Sequence, residues 1–307
     1  MKILFSSDTH VYPPYMARLL KAAEQLRPDA VIFGGDLIPD WRDSIQNSIA
    51  PHRTWVREQM LPLLREFNGK HDKIKVLLDF GNDDLAAAYD LASERDGEDF
   101  HLLHMRVVEL SGNLAVVGYM NVNPTPFLIK DREKPDCRDD SGLSAQGVTV
   151  KGFVTATGEQ VPHVLDVGDG TLEEDLDGLS RTLMQRAWKN HALIFVSHAP
   201  PKETALDCTS SNAHVGSVAV RRFIEKLAAS GRLVATLHGH IHESPWMTGR
   251  VRQEINGAPC FNVGQKGKIL RALWFDTERV RESARLVLVD KGGATTIMER
   301  DQWLPEQ

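Results

Sequence analysis

Residues 1–36, MKILFSSDTHVYPPYMARLLKAAEQLRPDAVIFGGD, decide the fold class because two short apolar runs flank one helical pattern. The run at residues 2–7 predicts a strand, and the run at residues 30–33 predicts a second, buried strand. Between them, apolar residues recur at helical spacing from residue 16 to residue 26, and Pro28 ends this helix. A strand, a helix and a second strand in this order indicate an α/β fold.

The same alternation continues along most of the chain. Helical periodicity recurs at residues 54–67, 84–92, 171–189 and 218–229. Apolar runs that predict strands recur at residues 74–80, 114–119, 192–196, 233–237, 259–263, 269–275 and 285–289. Pro62 falls inside the first of these helical segments and is expected to kink or divide it. Together these elements predict an α/β fold with a large mixed sheet system.

One segment departs from this alternation. Nine of the eleven residues from Lys130 to Asp140 are charged, and short Gly-rich pieces continue to about Gly170. We interpret residues 130–170 as an inserted hairpin or loop in a single domain that spans residues 1–307. Because its charge density leaves little to bury, we expect this segment to be dispensable for the core fold and to affect substrate choice.

The composition limits the class of protein. No run approaches about 18 apolar residues, so no transmembrane helix is expected, and the N-terminal apolar run is too short for a signal peptide. Three widely spaced cysteines, Cys137, Cys208 and Cys260, do not form a disulfide framework and favour the reducing cytoplasm. The net charge of -6 argues against binding nucleic acid through its phosphate backbone.

Residues with metal-binding side chains follow five of the predicted strands. In α/β folds ligands bind beyond the carboxyl ends of strands, so these residues are expected to meet at one site. Carboxylate, imidazole and amide oxygen donors suit divalent metals, and the lack of cysteine among them argues against a thiolate site. Any one of them alone would fit a strand-end hydrogen bond, whereas their recurrence after five strands indicates a metal centre. They are Asp8 with His10, Asp36, Asn82 with Asp83, His198, and His240 with His242.

The number of these residues indicates two metal ions. Without Asp83, the other seven residues make eight contacts if one carboxylate bridges, which is more than the four ligands of a single tetrahedral ion. Nitrogen and oxygen ligands accept manganese, iron, zinc, nickel or cobalt, so the sequence does not choose among these metals.

On these residues the sequence resembles the calcineurin-like metallophosphoesterase family over about residues 1–275. The matching motifs are Asp8-Thr9-His10, Gly34-Gly35-Asp36, Gly81-Asn82, Ser197-His198 and Gly239-His240-Ile241-His242. Within that family, the runs at residues 197–201, 214–217 and 239–244 look most similar to the Icc-related predicted phosphoesterases. The resemblance implies a four-layer α/β/β/α sandwich, in which helices flank two mixed sheets and the site lies at one end.

The resemblance also implies a dinuclear metal centre. One ion would be held by Asp8, His10 and His242, the other by Asn82, His198 and His240, and Asp36 would bridge both. Two ions about 3.5–4 Å apart clamp a phosphate and lower the pKa of bound water, so a bridging hydroxide would be the nucleophile. The expected function is hydrolysis of a phosphodiester or phosphomonoester of a small molecule.

Two residues are candidates for roles beside the metals. Many family members carry histidine directly after the Gly-Asn pair, as the proton donor, whereas this chain has Asp83. Nearby cations lower the pKa of a carboxyl group, so we expect Asp83 to orient a ligand or a water. His214 lies on a Ser- and Asn-rich stretch, where it either anchors the loop or contacts the phosphate and donates a proton.

Two other functions stay open at this point. A binding or scaffold module with the same fold would keep the metals without strong catalysis, and Asp83 is the one feature in its favour. A metal-dependent nuclease would need a basic track for the nucleic acid, and the scarcity of Lys and Arg clusters argues against one. The missing histidine fits a diesterase slightly better, because a diester with a good leaving group needs less proton donation. The oligomeric state cannot be read from the sequence.

Overall fold

A computed structural model describes residues 1–11, 15–39, 44–139, 143 and 147–299 of the chain. The predicted α/β fold is confirmed. Its strands are β1 (Lys2–Ser6), β2 (Ala30–Phe33), β3 (Lys75–Leu78), β4 (His101–Leu102), β5 (Arg106–Ser111), β6 (Leu114–Tyr119), β7 (Lys151–Val154), β8 (Val161–Val164), β9 (Ala192–Ser197), β10 (Leu233–His238), β11 (Arg252–Ile255), β12 (Ala258–Asn262), β13 (Leu270–Asp276), β14 (Arg285–Val289) and β15 (Thr295–Ile297). Its helices are α1 (Tyr15–Leu26), α2 (Ile45–Trp55), α3 (Leu61–Lys70), α4 (Tyr89–Ser93), α5 (Leu172–Leu183), α6 (Val218–Ala229), α7 (Ser244–Thr248) and α8 (Val280–Ser283).

The strands form two mixed sheets that pack face to face. In the described residues, the first sheet has seven strands in the order β15-β14-β13-β1-β2-β3-β4, and the second has six in the order β11-β12-β10-β9-β6-β5. The neighbours β1, β2 and β3 run parallel, as do β6, β9 and β10. The carboxyl ends of the parallel strands therefore meet at one end of the sandwich.

The alternation of side chains along each strand creates three apolar layers. In β1, Ile3 and Phe5 face the second sheet, where they join a cluster that includes Ile194 of β9. Leu4 points the other way and packs under the apolar face of α1, which includes Leu19. A third cluster lies between the second sheet and helices α5 and α6. This arrangement is the four-layer sandwich of two mixed sheets flanked by helices.

The helical segment that contains Pro62 is divided, as the sequence predicts. Helices α2 and α3 are joined by a π-helical turn at Val56–Met60. Pro62 lies in the first turn of α3, directly after the π-helical turn, so the irregular part of the helix coincides with a residue that has no N–H to donate. No helix among the described residues combines the length and apolar character needed to cross a membrane.

The segment at residues 130–170 lies outside both main sheets, but it is not a solvated insertion. Its strands β7 and β8 pair with each other in a separate sheet. Residues 140–142 and 144–146 lie outside the described residues.

The expectation that the charges of this segment leave little to bury is wrong. The side chains of Lys130 and Glu133 are fully buried and form an ion pair of 2.7 Å. Asp136 is buried as well, at the N-terminus of α6. These charges are buried because each one finds an opposite charge or backbone N–H groups.

Replacing Asp136 with alanine is expected to lower the free energy of unfolding by about 2–4 kcal/mol. Its carboxylate accepts hydrogen bonds from the Ser217 hydroxyl and from the N–H groups of Val218 and Ala219, and these donors would lose their buried partner. Urea unfolding would measure the change. The control is Glu159→Ala, an exposed acidic residue of the same segment, for which a change within about 0.5 kcal/mol is expected. Equal stability of both variants would restore the view that the segment is dispensable.

Candidate active site

The predicted ligands meet at the end of the sandwich where the parallel strands finish. Asp8 and His10 follow β1, Asp36 follows β2, and Asn82 follows β3 of the first sheet. His198 follows β9 of the second sheet, and His240 and His242 follow β10. Because the two sheets face each other, loops from both contribute to a single cluster of side chains.

One group of four ligands lies within a single metal-sized space. One donor atom each from Asp8, His10, Asp36 and His242 lies within 4.8 Å of all the others. Nε2 of His242 is 3.2 Å from Oδ1 of Asp8 and 3.3 Å from Nε2 of His10. Nε2 of His10 is 3.9 Å from Oδ2 of Asp36. Two imidazole nitrogens and two carboxylates that converge in this way fit a divalent cation.

A second group of ligands surrounds His198. Its Nε2 lies 3.0 Å from the amide oxygen of Asn82 and 3.1 Å from Oδ2 of Asp36. Its Nδ1 lies 2.8 Å from the carbonyl oxygen of Gly34, which acts as the acceptor for an Nδ1 proton. Nε2 therefore faces the two oxygens either as an N–H donor or, once it has lost its proton, as a third candidate ligand atom. Three electron-rich atoms around one point also fit a cation.

His240 completes the cluster next to His198. The two rings lie 5.3 Å apart, centroid to centroid. The backbone N–H of His240 donates to Oδ1 of Asp8 at 2.9 Å, which ties the two groups together. Burial and the neighbouring His198 lower the pKa of His240 to about 3, so its imidazole is neutral and has a free lone pair.

Three of the candidate ligands have unusual backbone conformations. Asp8, Asp36 and His240 have positive φ angles of 58°, 52° and 67°. A non-glycine residue in this region costs about 1–3 kcal/mol and persists only when its surroundings hold it there. Such strain concentrates at functional sites, and here it coincides with the residues that the sequence selects as metal ligands.

Two glycines allow the carboxylates to lie against the backbone. A Cβ atom on Gly81 would lie 2.1 Å from Oδ1 of Asp36, and one on Gly239 would lie 2.5 Å from Oδ2 of Asp8. Both distances are far below van der Waals contact. The glycines of the Gly-Asn and Gly-His motifs are therefore required by close packing against the ligands.

The charges of the cluster favour a bound cation. Burial by itself would raise the pKa values of Asp8 and Asp36, but His242 beside Asp8 and His198 beside Asp36 lower both. Although burial opposes the imidazolium form, the carboxylates raise the pKa of His198 to about 10 and that of His242 to about 9. The buried carboxylates thus attract positive charge, as protons on the imidazoles or as cations that displace those protons.

Asp83 lies beside the first group and contacts a candidate ligand of each group. One of its oxygens accepts a hydrogen bond of 2.7 Å from the amide nitrogen of Asn82, and the other is 3.8 Å from Nδ1 of His10. Its backbone N–H donates to Asp36. Burial and the charge of Asp36 raise the pKa of Asp83. These contacts are those of a residue that orients Asn82, and the role of Asp83 stays a prediction.

Asp84 is a structural residue of the site that sequence reasoning missed. Its fully buried carboxylate accepts hydrogen bonds from the N–H groups of Leu37, Ile38 and Gly81. Burial and the charge of Asp36 raise the pKa of Asp84 to about 7. Asp84 therefore joins the loop after β2 to the loop after β3. In the sequence, this role could have been inferred from the position of Asp84, which is the second of two consecutive aspartates after Gly81-Asn82.

His214 lies on a loop that makes its own contacts. Its Nδ1 is 2.8 Å from Oδ1 of the buried Asp207, and its side chain is 43% exposed. Among the described residues, its hydrogen bonds and ion pairs remain within this loop region and do not reach the candidate ligands. An Asp–His pair with an exposed ring is chemically able to transfer a proton, and the role of His214 stays a prediction.

Comparison with known proteins identifies the fold of this chain and the family whose sequence pattern it matches. Residues 1–244 match the family described as calcineurin-like phosphoesterase. One solved structure is 14% identical, covers 93% of this chain and 97% of its own, and has a TM-score of 0.61. Another, TT1561 of Thermus thermophilus, is 12% identical, covers 97% of this chain and 98% of its own, and has a TM-score of 0.53. No curated protein matches the chain significantly.

Proposed function

Because this chain belongs to the calcineurin-like phosphoesterase family and is a hydrolase of phosphoester bonds, we propose that it works with two divalent ions and prefers phosphodiesters. Asp8, His10 and His242 would hold one ion. Asn82, His198 and His240 would hold the other, with Asp36 bridging both.

The position of Asp36 is the observation that carries this proposal. Its Oδ2 lies 3.9 Å from Nε2 of His10 in the first group and 3.1 Å from Nε2 of His198 in the second. Its side chain is only 2% exposed, and its Oδ1 accepts the backbone N–H of Asp83 at 2.9 Å. A carboxylate held in this way between two sets of candidate metal-ligand atoms is suited to bridging two ions.

The residues of the chain prepare the site for phosphoester hydrolysis. When bound, divalent ions neutralise phosphate charge and lower the pKa of water, which supplies the nucleophile. The carbonyl oxygen of Gly34 holds the ring of His198 in position. Asp83 accepts the amide N–H of Asn82 and so directs the amide oxygen towards His198. These supporting bonds fix the ligands before substrate binds, which lowers the cost of reorganisation.

The preference for a diester follows from Asp83. It stands directly after the Gly-Asn pair. Two bound cations would counteract the effect of burial and of Asp36, which raise its pKa, so its carboxyl group would be ionised and would not donate a proton. A diester with a good leaving group needs no such donor.

We expect the manganese-loaded protein to have a higher kcat/KM on bis(4-nitrophenyl) phosphate than on 4-nitrophenyl phosphate, by about 10-fold or more. An ionised Asp83 repels the dianionic monoester more strongly than the monoanionic diester, and a difference of about 1.4 kcal/mol corresponds to tenfold in rate. Both esters release the same 4-nitrophenolate, so the two rates are read at one wavelength. A monoester preference would contradict the diester assignment. Protein that binds manganese but hydrolyses neither ester would contradict the proposed function and favour a scaffold role.

A further inference from the structure

A cleft of about 790 Å³ opens beside the candidate metal ligands. His10, Asp83 and His242 line it at the metal centre. Half of its fourteen described lining residues are apolar. Five of these apolar residues are Leu85, Phe127, Leu128, Ile129 and Phe153.

Two large apolar side chains of this cleft remain in solvent. Phe127 and Leu128 are neighbours in the chain, and each is 53% exposed. Single exposed apolar residues are common, but an adjacent pair on the wall of a cleft beside a polar centre is typical of a binding surface.

The apolar wall is held rigidly. The N–H of Phe153 in β7 donates to the carbonyl oxygen of Leu128, and the N–H of Lys130 donates to the carbonyl oxygen of Phe153. The backbone around Ile129 therefore extends the β7–β8 hairpin. The next turn is anchored by the buried ion pair of Lys130 and Glu133, whose carboxylate also accepts the N–H of Thr125.

The floor of the cleft is a small core of its own. Ile49, Leu85 and Ala87 form a buried apolar cluster, and Ile45 and Ile129 pack against it. Because the backbone of the wall is hydrogen-bonded and the floor is buried, less conformational entropy is lost when a ligand binds there than on a loop without these contacts.

The charges around the cleft disfavour an anionic substituent. Among the lining residues in the described ranges there is no lysine or arginine, and Asp83 is an acidic residue on the side of the metal centre. A second phosphate or a carboxylate on the substrate would meet that acidic group, and the described lining residues offer no lysine or arginine to compensate it. An uncharged apolar group would instead remove Phe127 and Leu128 from water.

We propose that this cleft is a hydrophobic subsite that binds an alkyl or aryl group joined to the phosphorus of the substrate through an ester oxygen. The proposal rests on the function proposed above, since the phosphoryl group is placed at the metal centre. It assigns the substrate to a class of phosphoesters with an apolar alcohol, and it gives the segment at residues 126–129 the role of selecting that alcohol.

Two phosphonates test this subsite, because each has a single organic group and is not hydrolysed. The dissociation constants of hexylphosphonate and methylphosphonate are measured by calorimetry on the manganese-loaded protein. A fully buried methylene contributes about fourfold in affinity. In an open cleft the five additional methylenes are expected to give a preference for hexylphosphonate of about 10- to 100-fold. The heat capacity change on binding is expected to be more negative for hexylphosphonate.

Substitutions in the apolar wall test whether its side chains cause the preference for hexylphosphonate. Leu128→Ser and Phe127→Ala are each expected to reduce the preference for hexylphosphonate at least about threefold. Both side chains are half exposed, so folding tolerates their loss, and circular dichroism checks this. Met184→Ala is the matched control, because Met184 is 71% exposed and does not line this cleft. It is expected to retain the preference of the unmodified protein.

Hydrolysis of bis(4-nitrophenyl) phosphate by the same preparation separates the two proposals. If that diester is hydrolysed but the two phosphonates bind equally, or if the wall variants keep the full preference, the subsite is refuted and the proposed function stands. If the diester is not hydrolysed and neither phosphonate binds, the proposed function fails and the subsite fails with it.

Discussion

Replacing Asp36 with asparagine is expected to lower kcat/KM on bis(4-nitrophenyl) phosphate by about 10³-fold or more. Metal ions supply several kcal/mol of transition-state stabilisation, and each 1.36 kcal/mol corresponds to tenfold in rate. Asparagine has the same shape and can still accept the N–H of Asp83, which now binds Oδ1 of Asp36. It lacks the negative charge that a bridging ligand supplies to both ions. Steady-state kinetics and metal analysis of the purified variant would measure the two effects together.

Asp83→Asn is the matched control for this experiment. Asp83 contacts the candidate ligands Asn82 and His10 but is not itself assigned to a metal. Residues that orient metal ligands typically contribute about 10- to 100-fold. We therefore expect a smaller loss than for Asp36→Asn and retention of both ions. Equal losses in the two variants, with full metal content in each, would show that Asp83 takes part directly in the reaction.

Removal of the metal ions is expected to abolish hydrolysis and to lower thermal stability. The cluster contains the buried carboxylates of Asp8 and Asp36, whose charges a bound cation compensates. A ligand that binds only the folded protein stabilises it by about 2.7 kcal/mol when its free concentration is 100 times the dissociation constant. Treatment with a chelator followed by gel filtration should therefore give an inactive protein with a lower melting temperature.

Metal analysis and reconstitution provide the control for this treatment. About two ions per chain are expected before chelation, and addition of manganese should restore both activity and melting temperature. A stoichiometry of one ion with full activity would contradict the bridging role of Asp36. Full activity in protein from which no metal can be detected would contradict metal-dependent hydrolysis altogether.

Elements with strong local periodicity could be predicted from the sequence. Strands β2 and β6 and helix α6 begin and end at the predicted residues, because apolar periodicity is a property of neighbouring residues. Strands β4, β5, β11 and β15 were not predicted. All four are edge strands of the two main sheets, and pairing with a single neighbour defines them rather than an apolar pattern of their own.

The charged run at residues 130–140 shows the limit of arguments from composition. Its charge density predicted exposure, yet Lys130 and Glu133 are fully buried. The partners explain this result: Glu133 neutralises Lys130 within the segment, whereas the donors to Asp136 come from the start of α6, 81–83 residues later in the chain. Whether a charge is buried depends on such partners, which the composition of the segment does not reveal.

The α/β fold and the chemical types of the candidate ligands can be read from the amino-acid sequence alone, because both depend on local patterns and on residues that directly follow strands. Which candidate ligands lie close together is visible only in the folded protein. His242 and Asp8 are brought together across 234 positions of the chain, from 8 to 242, by the order of strands in two facing sheets. The folded protein also shows that Asp84 joins two loops and that Phe127 and Leu128 line a cleft beside the candidate metal ligands. These contacts form between elements that are distant in sequence, so their geometry exists only when the sheets have packed.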